Sequence, residues 1–199
     1  MLSLRKPSKD TIDRWLEEQG HRDFNYPEVC ATREFPLPGG YNIDRNSIRL
    51  GYGEATYDRA VAAVRGLHMW DFHWVQLCWP TTPIAVGSIL ATLTRQWGCW
   101  YLNGCRIVYL IDEGAPARRF GFAYGTVDGH VEYGEERFLV EWREDNSVWY
   151  EILAFSCPAY WLMKLGYPLV RRLQKRFAAD SLRAMVKAVN SGMIDDKTD

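Results

Sequence analysis

Apolar and polar positions alternate through much of this chain and then change period near its end. From Val148 to Ser156 the alternation is that of a strand, with Val148, Tyr150, Ile152 and Ala154 on one face. Trp149, Glu151, Leu153 and Phe155 fall on the other, and Glu151 as the only charge there suits the solvent side. After Ser156, a candidate helix cap, and Pro158, suited to a first helical turn, the period becomes helical. Leu162, Leu165, Leu169, Leu173, Phe177, Ala184 and Ala188 form one stripe, and Arg171, Arg172, Lys175, Arg176 and Arg183 collect away from it. A helix ending near Gly192 has about 33 residues and spans ~50 Å at ~1.5 Å per residue. Pro168, with Gly166 before it, is expected to kink or split that helix.

Upstream, Asp10 to Gly20 reads as a short amphipathic helix capped by Asp10 or Thr11. Residues 21–45 hold Pro27, Pro36, Pro38, Gly39 and Gly40 and read as irregular chain anchored by Phe24, Tyr26, Phe35 and Tyr41. Ser47–Gly53 is a strand and Glu54–Leu67 a helix. Strands follow at Phe72–Cys78, Gly87–Thr94, Arg106–Asp112, Phe120–Val127 and Glu136–Arg143, while Arg95–Gly104 is ambiguous. Gly121, Ala123, Gly125 and Val127 share one face of their strand. Repeated glycine there implies close approach by a helix backbone or a ligand. Short turns such as Asp128-Gly129 and Asp145-Asn146 imply antiparallel neighbours, and a sheet buried on one face needs a helix to cover it.

The expected class is α+β: a curved antiparallel sheet of about seven strands wrapped around a long C-terminal helix. The expected division is an N-terminal helix and extension over 1–46, a core domain over 47–191, and a disordered tail over 192–199.

Composition narrows the function classes. With 199 residues and 47% apolar content the chain can bury a substantial core. Twenty-four basic against 25 acidic residues give no general attraction to nucleic acid. No apolar run is long enough for a membrane span, and no signal-peptide pattern follows Met1. Five cysteines, an odd number without a C-x-x-C pair, read as reduced thiols in a cytoplasmic protein. Nine Trp and eleven Tyr fill cores, but they also line pockets.

The most site-like cluster is Thr126 to Glu136, where His130, Glu132, Glu135 and Glu136 gather at one hairpin. Glu136 shares parity with Phe138, Val140 and Trp142, so it points inward if they do. A buried carboxylate needs a partner or a shifted pKa. His130 with Glu136 is a candidate acid/base pair and Arg106 a candidate bidentate partner; a structural ion pair or a turn-stabilising histidine is the plainer alternative. His130-x-Glu132 could offer two metal ligands, but there is no H-E-x-x-H and no metal is expected. Gly51-Tyr-Gly53 lacks the remainder of a nucleotide fingerprint, so no cofactor is expected either. Tyr101, Tyr109, Tyr124, Trp142, Tyr150 and Trp161 could line a cavity or simply fill the core.

Several of these segments together resemble a known family. Gly121–His130, Gly134–Phe138, Val148–Ile152, Phe155–Pro158 and Leu173–Phe177 are similar to the "domain of unknown function nineteen-ninety" family, found in bacteria and plants. Arg106–Glu113 and Ser47–Gly53 followed by Tyr57 fit the same pattern. The resemblance covers about Ser47 to Asn190. It implies kinship with the START and birch-pollen-allergen superfamily, whose helix-grip fold keeps a cavity for an apolar ligand between sheet and helix, and it implies no established reaction. Three functions follow as expectations: binding of a small hydrophobic or amphipathic ligand with Arg106, His130 and Glu136 at its polar end, an enzyme of cyclase, dehydratase or hydrolase type in the same cavity, or an interaction module with a filled core. The ligand's identity and the oligomeric state are not legible.

Overall fold

The computed structural model describes residues 1–79, 82–115, 117–158 and 163–195, with the side chains of the last helix described over 166–191. In order, the elements are β1 (Leu2–Ser3), α1 (Lys9–Gly20), β2 (Asn42–Tyr52), α2 (Glu54–Arg65), β3 (Val75–Cys78), β4 (Ile89–Gln96), β5 (Cys99–Glu113), β6 (Arg118–Thr126), β7 (Glu132–Trp142), β8 (Ser147–Pro158) and α3 (Met163–Asp195). All strand pairs are antiparallel, in the order β2-β8-β7-β6-β5-β4-β3, with β1 beside the start of β5. The sheet curls because its strands are long, twisted and bulged, at Arg49/Gly51 in β2 and at Ile107/Tyr109 in β5.

The concave face is covered by α2 and α3. Phe122, Phe138, Tyr150 and Ile152 meet Ala178, Met185 and Val189 of α3 and Tyr57, Ala60 and Val64 of α2 in one buried cluster. This is the helix-grip arrangement, and it joins residues that are distant in sequence at nearly every contact. Burying the larger of these side chains contributes on the order of 1.5–3 kcal/mol each. On the convex face, α1 packs Ile12 against Leu93 and Leu102. Residues 21–41 lie across β6, β7 and β8, where Tyr26 and Tyr41 meet Phe155 edge-on.

Several boundaries differ from the sequence expectation for local reasons. Ser8, not Asp10 or Thr11, caps α1, its Oγ accepting the Thr11 N–H at 3.2 Å. β2 begins at Asn42, because residues 42–46 pair with Ser156 to Ile152 of β8, so the strand crosses the 46/47 division. The ambiguous Arg95–Gly104 resolves into a tight hairpin: Trp97 and Gly98 both take positive φ, as a primed two-residue turn requires. Pro158 ends β8 rather than opening a helix. Helix α3 runs unbroken through Gly166 and Pro168 and continues past Gly192 to Asp195. Pro168 lies within two turns of Met163, where a proline forfeits a single intrahelical bond near the helix start.

Candidate functional site

A cavity of about 450 Å³ lies between the concave face and the first half of described α3. Strand alternation builds its wall. Asp44 and Asn46 come from β2, Thr92 and Thr94 from β4, Asn103 and Cys105 from β5, Tyr124 and Thr126 from β6, Glu132 and Glu136 from β7, and Ile152 and Ala154 from β8. Leu169, Leu173, Gln174 and Phe177 of α3 close the opposite side, and Trp70 and Trp74 close one end. Trp97, Val131 and Leu169 stand on the rim with 60%, 39% and 43% of their surfaces exposed.

Polar groups gather on the β7 side. The Tyr124 hydroxyl donates to Glu136 Oε2 at 2.5 Å. Gln174 Nε2 donates to Glu132 Oε1 at 2.5 Å and to Ser156 Oγ at 3.2 Å. Arg171 grips Asp44, with Nη2 at 2.7 Å from Oδ1 and Nη1 on Oδ2. The Glu132 N–H donates to His130 Nδ1 at 3.1 Å, fixing the ring across the β6–β7 turn.

Burial sets the ionisation of this cluster. It pushes Glu136 up to about 7; the Tyr124 hydrogen bond opposes that rise, and the charges of Glu132 and Asp44 add to it. Glu132 is likewise raised to about 7, chiefly by burial, against the pull of Arg171. Burial lowers His130 to about 4, so its ring is neutral at pH 7. The Cys105 thiol is held well above its ordinary range by burial and by the two carboxyl groups. Two carboxyl groups that exchange protons near neutrality, in a mostly apolar space, can orient a polar headgroup or act as acid and base.

The family model described as "Domain of unknown function (DUF1990)" matches residues 25–184. The chain belongs to this family. It is 37% identical over 209 residues to a UPF0548 protein of Dictyostelium discoideum, spanning 96% of this chain and 97% of that one. It is 33% identical over 203 residues to a UPF0548 protein of Arabidopsis thaliana, spanning 96% and 98%. Among solved structures, the hypothetical protein jhp0584 of Helicobacter pylori superposes with a TM-score of 0.52 at 12% identity, over 82% of this chain and 94% of that one. That likeness concerns the fold alone. The family match starts at residue 25, not near Ser47, and so takes in Tyr26 and Thr32 of the extension.

Of the residues singled out in the sequence, Tyr124, His130 and Glu136 meet on the cavity wall, and Tyr101 lies on it as well. The expected His130–Glu136 pair does not form: His130 bonds to the Glu132 backbone and Glu136 to Tyr124. Arg106 is on the convex face, where its Nη2 caps the end of α1 by donating to the carbonyls of Gln19 at 3.0 Å, Gly20 at 3.1 Å and Arg22. Cys105, its neighbour, takes the inward position. Tyr109 is also on the convex face, bonded to Thr32 Oγ1 at 2.8 Å. The bulge after Ile107 reverses the parity that would have turned it inward. Trp142 packs under α2 beside Tyr57, away from the cavity. Tyr150 is on the concave face but covered by α3, its hydroxyl 3.1 Å from Ser181 Oγ. Trp161 lies outside the described residues.

Sequence reasoning missed Asp44, Gln174 and Trp70 as wall residues, and Arg171 as the partner that holds Asp44. Asp44 and Arg171 are 127 positions apart, and no local pattern links them. Glu132 had a usable signal, because it shares the parity of Glu136. Glu151 is on the convex face as expected but is 7% exposed, since residues 21–41 cover it. The close approach expected at the glycine face of β6 comes from neither a helix nor a ligand: Tyr26 presses on Gly125, and the Phe138 carbonyl on Gly121. Among the described residues no group of three potential metal ligands converges.

Proposed function

We propose that the protein binds a small hydrophobic or amphipathic molecule in the cavity between sheet and C-terminal helix. The observation that carries this reading is the volume of about 450 Å³, walled largely by apolar groups, with a few polar groups converging on one side. Ligand sites run to roughly 300–1,000 Å³ with that division of character. The ligand's apolar body would lie against Trp70, Leu173 and Phe177 and its polar end at Glu132 and Glu136. Native mass spectrometry of the purified protein, before and after denaturation, tests this. A mass excess lost on denaturation is the expected result. A bare polypeptide mass, with no change in tryptophan fluorescence on titration with an apolar ligand series, would sink it.

One observation favours a second reading, an enzyme in the same cavity: Glu132 and Glu136 both titrate at about 7, which suits proton transfer at neutral pH. A reaction abolished by Glu136→Gln, with ligand still bound, would select it over simple binding. We place the protein in the cytoplasm, because Cys30, Cys78, Cys99 and Cys105 are unbridged thiols.

A further inference from the structure

The charges on the cavity wall do not balance. Arg171 acts on Glu132 through its charge, but it is bonded to Asp44 and not to Glu132. Glu136 takes its hydrogen bond from a neutral phenol and Glu132 from a neutral amide. Among the described residues, no Lys or Arg forms an ion pair with either carboxyl group. Lys175, on the rim, is exposed. The other titratable groups facing the pair supply no cation. His130 on the β6–β7 turn is neutral at pH 7, and Cys105 of β5, Tyr124 of β6, Tyr150 of β8 and Tyr167 of α3 all have raised pKa values. A carboxylate buried without a cation is costly, and Tyr124 and Gln174 lower that cost by presenting hydrogen-bond donors.

A second feature of the same space is aromatic. Trp70 stacks on Tyr124 at 6.2 Å and packs beside Phe177 at 6.4 Å, and all three line the cavity. Ring faces carry negative potential and attract cations, more strongly where water is excluded. Among the described residues, Glu136 and Glu132 have no direct ion pair and the rings of Trp70, Tyr124 and Phe177 have no cation over them, and both features call for the same chemistry.

We infer that the ligand's polar end is an ammonium group, taken by Glu136 with Glu132 as a second carboxylate on the same wall, so that the substrate class is an alkyl- or arylamine. This inference rests on the reading that the cavity holds an amphipathic ligand and narrows that reading. Binding an ammonium ion would drive the Glu136 proton off to solvent, leaving carboxylate and cation in contact. Affinity for an amine therefore rises with pH through neutrality, while affinity for a neutral ligand of the same shape does not.

The test is a tryptophan-fluorescence titration of the full chain with octylamine, octanol and octanoate at pH 6 and pH 8. At pH 8 octylamine should bind at least tenfold tighter than octanol, and octanoate weakest. At pH 6 the preference for the amine should shrink several-fold. Glu136→Gln should bring the amine down to the octanol's level, and Glu132→Gln should reduce its advantage by less. Octanol binding as tightly as octylamine, or octanoate binding tightest, overturns the amine assignment and leaves the ligand cavity standing. No binding by any of the three overturns both. If Glu136→Gln does not fold, the wild-type pH dependence and Glu132→Gln decide.

Discussion

Tyr124 and Glu136 face each other across one rung of the β6–β7 ladder, and the phenol donates to the carboxyl group at 2.5 Å. The bond favours the charged form of Glu136, so it restrains a pKa that burial would otherwise push higher. Tyr124→Phe keeps the ring and removes the donor. The Glu136 midpoint, followed by carboxyl carbon NMR on selectively labelled protein, should move above 7, and stability should drop by about 1 kcal/mol. A midpoint that stays put or falls would show that the phenol does not hold this carboxyl group.

The cluster should also leave its mark on stability as a function of pH. Burial raises Glu132 and Glu136 from 4.5 to about 7. Between those values the folded protein keeps protons that the unfolded chain releases, so this contribution is complete below 4.5 and is lost as pH rises through 7. His130 works the other way. Its pKa falls from 6.5 to about 4, so the unfolded chain takes up a proton that the folded ring refuses, and stability drops as pH falls through that window. Two carboxyl groups oppose one imidazole between 4.5 and 6.5, and the carboxyl groups act alone from there to 7. Urea midpoints should therefore decline between pH 6 and pH 8. Glu136→Gln should flatten that decline, and His130→Gln should raise stability at pH 5 relative to wild type. A midpoint climbing from pH 6 to pH 8 in wild type, with no response to Glu136→Gln, would contradict these assignments.

Strand alternation made the inward set legible wherever a strand is regular. Glu136 shares the concave face with Phe138 and Val140 because β7 keeps its period over those residues, though only Glu136 of the three lines the cavity. The same rule fails at Tyr109, because one extra residue at the Ile107/Tyr109 bulge reverses the face, and composition does not mark the bulge. Arg106 looked like a partner for an acid, yet its guanidinium finds carbonyls at the end of α1, a contact made 84 or more positions away. The grip of sheet on helix could be read from the late change of period. The Asp44–Arg171 contact could not, since it depends on how far β2 extends before Ser47. The extension over residues 21–41 read as loose chain because its order comes from the sheet beneath it and not from its own pattern.

That dependence can be tested at Gly125. A Cβ on this residue would fall within contact distance of the Tyr26 ring and hydroxyl. Tyr26 in turn donates to Glu135 Oε2 at 2.8 Å, and the amides of Cys30 at 2.8 Å and Thr32 at 2.9 Å complete the cradle around a carboxyl group only 2% exposed. Gly125→Ala should displace Tyr26 and loosen this anchor, destabilising the protein by roughly 1–3 kcal/mol, the usual cost of overpacking. Amide exchange should quicken first in residues 26–33 and much less in β7 or β8. Uniform acceleration across the sheet, or none at all, would mean that Tyr26 does not pin the extension.

Arg137 holds the other half of that anchor. Its Nη1 donates to the Thr32 carbonyl at 2.7 Å and its Nη2 to Glu151 Oε1 at 2.8 Å, while Arg45 Nε reaches Glu151 Oε2 at 2.7 Å. Arg137 and Glu151 are both nearly buried, and the Arg137 Nε has no hydrogen-bond partner among the described residues. Removing one member of such a pair leaves the other charge stranded in a poorly solvated site, at a cost of about 3–5 kcal/mol. Arg137→Met should come near the upper end, since it also strips a donor from Thr32. Glu151→Gln should cost less, because the amide can still meet Arg45 from solvent. The informative variant is the double change Arg137→Met with Glu151→Leu. If burial of unpaired charge is the main penalty, the double variant should be more stable than Arg137→Met alone, despite having lost more polar contacts. Urea midpoints at constant m-value decide it. A double variant destabilised by the full sum of the two single losses would mean that Arg137 and Glu151 act independently, and that a stranded charge is not the main penalty.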